Sequence, residues 1–85
     1  EFLHWGDMDY GGIRIFLFNK DKIFPGLKPY KMDCESFVAA VTLNAGRTLE
    51  AGKRKKQEQM NAGELEELRS SILEYGMEIE QEMLV

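Results

Sequence analysis

The chain has 85 residues, of which 44% are hydrophobic and 31% are charged, a balance typical of a folded soluble domain rather than a disordered segment. Its formal net charge of -4 argues against a surface that binds nucleic acid without sequence preference over most of its area. Its apolar runs are too short to span a membrane. With one cysteine, Cys34, and no basic and apolar leader at its start, it is expected to be a small cytoplasmic domain or an excised piece of a larger protein.

The first third of the chain predicts a strand, a helix and a second strand. Residues 2–7, "FLHWGD", are apolar and aromatic and end at a turn signal, which is typical of a buried strand. Residues 9–24 fit either a helix or a strand, but Asp9 is a good N-cap and a Pro-Gly pair follows, which favours a helix. Residues 27–33 predict a second strand, confined to an edge by Pro29. Two strands joined by such a crossover form a parallel βαβ unit.

Helices are predicted after this unit. Asp33 can cap a helix in "CESFVAAVTLNA", residues 34–45. Residues 46–60 contain two glycines and a charged run, which indicates a loop or an interrupted helix. The basic run Lys53 to Lys56 within them is interpreted as a solvated face.

The clearest helix is predicted over residues 61–76, "NAGELEELRSSILEYG". Asn61 and Glu64 have capping-box spacing, and Gly76 is a suitable stop. Residues 77–85 can add a helical turn or two. The fold class predicted from the sequence is therefore α/β, with a parallel βαβ unit followed by C-terminal helices.

Two aspartates, Asp7 and Asp9, follow the first predicted strand. Ligands of α/β sheets bind beyond the carboxyl ends of the strands, so both carboxylates could face one site. Oxygen ligands alone suit Mg²⁺ or Mn²⁺, and Gly11 and Gly12 leave room for a close approach of substrate. The alternative is structural, with Asp9 as a helix cap and Asp7 as a solvated strand end. The spacing alone leaves both interpretations open.

Other polar residues receive structural interpretations. His4 is expected to be a packed or hydrogen-bonded side chain rather than a general base. Asp33 is expected to be a cap, and Cys34 a small buried residue rather than a nucleophile. Glu80 and Glu82 could approach the aspartates from the last helix, although surface or interhelical roles are favoured.

The segment "FLHWGDMDYGGIRIF" followed by "FPGLKPYKMD" resembles the C-terminal region of the DUF2220, or JetD-like, family of Wadjet anti-plasmid systems. The ending "YGMEIEQEMLV" is similar to the C-terminal helix of that family. The resemblance implies a Toprim fold, related to the catalytic domain of the topoisomerase VI A subunit. In Toprim domains a glutamate from an earlier strand and a DxD pair hold Mg²⁺ for phosphodiester chemistry. Asp7 and Asp9 match the DxD pair.

Residues 1–85 are accordingly expected to be the C-terminal part of a Toprim-like domain, truncated on its N-terminal side. The resemblance implies a metal-dependent DNA nuclease with Asp7 and Asp9 as catalytic and metal residues, and Mg²⁺ or Mn²⁺ as the cofactor. DNA, bound by the full-length protein, and SMC-like complex subunits are the implied partners, and a homodimer is a further candidate arrangement. No strand precedes Phe2 to supply the glutamate, so the 85-residue chain alone is expected to be inactive.

Two other functions compete with this one. A non-catalytic interaction module would use the acidic C-terminal helices to bind a partner protein. A receiver-type phosphoacceptor domain would also cluster aspartates around Mg²⁺, and Asp33 could supply a further aspartate. That design needs a lysine at the end of a later strand, which no predicted strand provides.

Overall fold

A computed structural model of the chain describes residues 2–43 and 45–80. These residues form helices and two short sheets. The elements in chain order are β1 (Leu3–His4), α1 (Tyr10–Lys22), β2 (Lys28–Pro29), α2 (Cys34–Thr42), β3 (Gly46–Thr48), α3 (Ala51–Gln59), a 3-10 turn (Gly63–Leu65), α4 (Glu66–Tyr75) and β4 (Met77–Ile79). Within these two ranges, none of the helices has the length and apolar character needed to cross a membrane. The molecule is a small α/β domain, as predicted.

The chain opens with the predicted parallel strand–helix–strand unit. β1 pairs with β2 in parallel, and α1 forms the crossover between them. The N–H of Lys28 donates to the carbonyl of Phe2 at 3.0 Å. The N–H of Tyr30 donates to the carbonyl of His4 at 2.7 Å. Pro29, which has no N–H, lies between these two donors, so the ladder loses no hydrogen bond at that residue. Each strand contributes two residues, fewer than predicted.

Aspartates begin the first two helices, as predicted. The Oδ1 atom of Asp9 accepts a hydrogen bond from the N–H of Gly12 at 2.7 Å, and residues 10–22 are helical rather than extended. The Oδ1 atom of Asp33 accepts one from the N–H of Ser36, also at 2.7 Å. Each carboxylate satisfies an N–H that the first helical turn leaves without an intrahelical partner.

The C-terminal half differs from the prediction. Residues 46–60, predicted as a loop or interrupted helix, contain the strand β3 and the helix α3. Residues 77–79, predicted as a helical turn, form the strand β4, which pairs antiparallel with β3. The reason lies at Gly76, whose φ of 64° ends α4 in the left-handed region and turns the chain back along β3. Residues 81–85 of the predicted last helix lie outside the described residues.

The predicted capping box at Asn61 and Glu64 is wrong. The Oδ1 atom of Asn61 accepts a hydrogen bond from Gly63, two residues on, at 3.1 Å. The carboxylate of Glu64 lies 2.9 Å from the ammonium of Lys20 on α1. A 3-10 turn therefore precedes α4, and the helix ends at Gly76 as predicted.

The core lies between the helices and the strand β4. Its buried apolar side chains come from both halves of the chain: Met8, Ile13, Phe16, Leu27, Met32, Phe37, Ala40, Leu49, Ala62, Leu65, Leu68, Ile72 and Ile79. Met8 and Ile79 are 1% and 0% exposed, and they pair directly through an antiparallel bridge. This bridge joins the segment that carries the two aspartates to the end of the described chain.

Candidate functional site

The bridge between Met8 and Ile79 assembles the candidate site. The N–H of Met8 donates to the carbonyl of Ile79 at 2.7 Å, and the N–H of Ile79 donates back to the carbonyl of Met8 at 3.1 Å. Because both side chains are in the core, the bridge is anchored on its buried face. The residues that flank it are acidic in both segments: Asp7, Asp9, Glu78 and Glu80.

Arg47 on β3 contacts three of these carboxylates. Its Nη2 atom lies 3.3 Å from Oδ2 of Asp9 and 3.7 Å from Oε1 of Glu78, and its Nη1 atom pairs with Glu80. Arg47 is the register partner of Glu78, so strand pairing places the guanidinium there. We call Asp9, Glu78 and Glu80, gathered around Arg47, the acidic cluster. The sequence favoured a surface role for Glu80, whereas the structure places it in this cluster. Glu82 lies outside the described residues.

Glu78 is the member of the acidic cluster that the sequence reasoning missed. It is 1% exposed, and its Oε2 atom accepts a hydrogen bond from the N–H of Tyr10 at 3.4 Å. Its Oε1 atom accepts none from the described residues, although Lys53 lies 4.0 Å away. A buried carboxylate is costly unless nearby cations offset its lost hydration, which Arg47 and Lys53 do here. The available signal was the alternation in "MEIE", which is typical of a strand.

Asp9 has the structural role that the sequence offered as the alternative, that of a helix cap, and its second oxygen contacts an arginine. One carboxylate oxygen caps α1, and the other faces the guanidinium of Arg47. The side chain is thereby held at both oxygens, at the N-terminus of a helix, where the helix dipole favours negative charge. The cap fixes the orientation in which Oδ2 of Asp9 faces Arg47.

Gly12 determines how Asp7 sits against α1. A Cβ atom at Gly12 would lie 1.9 Å from the carbonyl oxygen of Asp7, a distance at which the backbone would have to move. At Gly11 the nearest atom is Oδ1 of Asp9, at an ordinary 3.7 Å. The close approach that the glycine pair predicted is therefore an approach of the chain's own backbone, at the second glycine.

The donor set suits a hard divalent cation, since all of the side chains that flank the bridge carry carboxylate oxygens. Oε1 of Glu78 accepts no hydrogen bond from the described residues, and the Nη2 atom of Arg47 lies 3.7 Å from it and 3.3 Å from Oδ2 of Asp9. In residues 2–43 and 45–80 no three histidine, cysteine or acidic side chains are arranged as a metal-binding group. Arg47 supplies the positive charge in this arrangement.

The other polar residues considered from the sequence have structural roles. The ring of His4 packs edge-on against Phe16 with 5.7 Å between centroids, and burial lowers the pKa of the imidazole. Asp33 is a helix cap, as predicted. Cys34 accepts a hydrogen bond from the hydroxyl of Ser71 at 3.0 Å and is partly buried.

The fold and the acidic cluster define a small α/β domain in which an arginine bridges carboxylates beside a helix N-terminus. The family described as "Wadjet protein JetD, C-terminal" matches residues 1–85, and the chain belongs to this family. The chain is 36% identical over 84 residues to Wadjet protein JetD of Bacillus cereus (strain Q1). The match covers 96% of this chain and 20% of that relative, so the chain spans about a fifth of its length. No solved structure gives a significant match.

Proposed function

We propose that this chain is the C-terminal, metal-binding part of a Toprim-type DNA nuclease, with Asp7 and Asp9 as ligands of Mg²⁺ or Mn²⁺. The observation that carries the proposal is that Asp9, Glu78 and Glu80 surround the guanidinium of Arg47 beside the N-terminus of α1, in the segment that also contains Asp7. Membership of the JetD C-terminal family supports it. In this proposal the substrate of the full-length protein is DNA, and its partners are SMC-like subunits of an anti-plasmid system.

Each residue of the site has a physical task in this proposal. A bound divalent ion supplies a Lewis acid that polarises a phosphate and offsets the charge that develops as the phosphodiester bond breaks. The cap at Gly12 holds Asp9 in one orientation, and the close contact at the same glycine fixes the backbone of Asp7. Arg47 offsets the repulsion between neighbouring carboxylates, so that they can be gathered before substrate arrives.

Cleavage assays on the full-length protein test the proposal. Asp7→Asn and Asp9→Asn should each abolish cleavage of plasmid DNA, because each removes a negative charge while keeping the side-chain size. Asparagine is also a good N-cap, so Asp9→Asn should leave α1 intact. Asp33→Asn makes the same change at a capping aspartate outside the acidic cluster, and it should cleave normally. Full activity in both site variants would remove the assignment of Asp7 and Asp9 as the metal ligands, and with it the Toprim interpretation. The 85-residue chain alone should not cleave DNA.

Metal binding can be tested without cleavage. Titration of the isotopically labelled chain with Mn²⁺ should broaden the NMR signals of residues 6–12 and of Glu78 first, since paramagnetic broadening is strongest near the ion. Binding should be weak, because water must complete the coordination of the ion. First broadening at Glu64 to Glu67, which form another acidic stretch, would contradict the site.

A non-catalytic interaction module is the second candidate, and one observation favours it. Ile15 and Phe18, about one turn apart on α1, are 56% and 59% exposed. Exposed neighbouring apolar side chains mark protein-binding surfaces. If this function is the main one, Phe18→Ser should abolish anti-plasmid activity in cells, while Asp9→Asn should retain it. The reverse pattern would support the nuclease.

A further inference from the structure

Positive side chains border the acidic cluster on the side of α1 and α3. Tyr10, the first residue of α1, directly follows the capping aspartate. The guanidinium of Arg14 and the ammonium of Lys56 each lie 5.6 Å from the centroid of its ring. Lys53, one turn before Lys56 on α3, reaches to 4.0 Å from the acidic cluster. We call Arg14, Lys53 and Lys56 the cationic surface.

The ring of Tyr10 holds two of these cations in place. Tyr10 and Arg14 are four residues apart on α1 and therefore lie on one helix face. Lys56 comes from α3, which packs against α1. Since both cations lie the same 5.6 Å from one ring centroid, their separation cannot exceed twice that distance. Attraction to the face of an aromatic ring orients a cation without neutralising its charge.

The basic run on α3 divides into inward and outward residues. Arg54 turns inward and donates a hydrogen bond to the carbonyl of Leu73 on α4 at 3.0 Å. Lys53, Lys55 and Lys56 are exposed. Arg54 therefore joins α3 to α4, while Lys55 and Lys56 are available to a partner and Lys53 lies between the solvent and Glu78. The predicted solvated face is confirmed for the three lysines but not for Arg54, and it lies beside the candidate site.

We propose that the cationic surface binds the phosphate backbone of a nucleic acid whose adjoining phosphate lies at the acidic cluster. This inference rests on the proposed nuclease function, and it adds the residues that hold the substrate. Contacts of lysine and arginine with phosphates supply most of the affinity of sequence-independent nucleic-acid binding. The whole chain carries a net charge of -4, so the molecule as a whole does not attract a polyanion. In this proposal the phosphate backbone is therefore held only where exposed cations are grouped, beside the carboxylates.

Two of the three cations of this surface, Arg14 and Lys56, differ from Lys53 and from other cations of the chain in how they are engaged. Lys20 and Lys22 at the end of α1 pair with Glu64 and Asp21. In the described part of the chain, Arg14 and Lys56 form no such pair with a carboxylate. Their charges are therefore available to an anionic ligand, which the aromatic ring between them does not neutralise.

Binding of a short fluorescent DNA duplex to the full-length protein, measured by anisotropy over a series of salt concentrations, tests the inference. Lys53→Gln with Lys56→Gln should weaken binding and reduce the slope of log affinity against log salt by about 2, one for each lost phosphate contact. Lys22→Gln with Lys28→Gln removes the same charge from the far end of α1 and from β2, and it should leave the slope unchanged. The double variant Lys53→Arg with Lys56→Arg keeps both positive charges, so it should have the salt slope of the unchanged protein.

The outcomes separate this inference from the proposed function. An unchanged slope in the α3 variant, or an equal loss in the Lys22 and Lys28 control, overturns the cationic surface as a DNA contact. Competition by polyglutamate as effective as that by unlabelled DNA assigns the surface to an acidic protein and also overturns it. Normal cleavage by both aspartate variants, together with DNA binding lost in the α3 variant, refutes Asp7 and Asp9 as the metal site and retains the cationic surface. Circular dichroism and thermal unfolding of each variant confirm that it is folded.

Discussion

The Oδ2 atom of Asp9 lies 3.3 Å from the Nη2 atom of Arg47, so a proposed metal ligand is also the partner of an arginine. The same guanidinium reaches Glu78 and Glu80. A single positive group thus occupies the position toward which three carboxylates converge. A divalent cation that binds Asp9 must compete with this guanidinium for the same oxygens.

That competition gives the first prediction. Arg47→Gln should destabilise the fold by roughly 1–3 kcal/mol, because the buried carboxylate of Glu78 loses one of its two cations. Mn²⁺ should then raise the midpoint of thermal unfolding more in the variant than in the unchanged protein, since a ligand that binds the folded state more tightly stabilises it more at the same concentration. Lys20→Gln, which breaks the ion pair with Glu64, is the control and should leave the Mn²⁺ effect unchanged. Equal Mn²⁺ effects in all three proteins would show that Arg47 does not compete with the ion.

Two glycines in first helical turns should respond in opposite ways to alanine. Gly12→Ala should cost about 3 kcal/mol or more, because the new Cβ collides with the carbonyl of Asp7 and overpacking of this kind forces a backbone shift. Gly52→Ala, where no atom lies within 4 Å of the new Cβ, should stabilise by up to about 1 kcal/mol. Urea unfolding measures both changes. Similar effects at the two positions would contradict the packing of α1 against residue 7.

Gln57 on α3 is a polar side chain in an apolar position. It is 0% exposed, and neither its Oε1 nor its Nε2 atom has a hydrogen-bond partner among the described residues. Gln57→Met keeps the shape and removes two unsatisfied groups, so it should stabilise by about 1 kcal/mol or more. Gln59→Met, at an exposed position of the same helix, should change stability little. Destabilisation by Gln57→Met in a thermal scan would show that the amide is satisfied in solution.

His4 should make stability depend on pH. Burial lowers its pKa from the ordinary 6.5, so the unfolded chain binds a proton more readily than the folded one. Stability therefore rises with pH between the folded pKa and 6.5, and is lost as pH falls through that window. His4→Gln should flatten the dependence, measured by urea unfolding from about pH 7.5 to about pH 5.5. The pKa of Glu66, lowered by Arg69 from 4.5, affects stability only at more acid pH. Identical slopes in the two proteins would refute the assignment to His4.

Local signals predicted the parts of the fold that local interactions determine. The caps at Asp9 and Asp33 and the stop at Gly76 each depend on a few neighbouring residues, and each prediction is confirmed. The parallel βαβ unit followed from the length of the crossover. The aspartate pair was predicted to form a site, and its use as a metal site stays a prediction.

Distant pairings explain what the sequence did not predict. β3 and β4 contain three residues each and depend on partners about 30 positions apart, so neither produces a strong local pattern. Glu78 joins Asp9 only because Ile79 pairs with Met8 across the fold. The capping box failed because Lys20, from another helix, attracts the carboxylate of Glu64. In each case a contact between remote segments outweighed the local preference.

The position of β4 also has a consequence for synthesis on the ribosome. The hydrogen bond from Tyr10 to Glu78 spans 68 positions, and the bridge from Met8 closes on Ile79. A nascent chain that has not yet released β4 carries the aspartate pair without Glu78 and Glu80. Any activity that requires the acidic cluster must therefore wait until the polypeptide has emerged beyond residue 80.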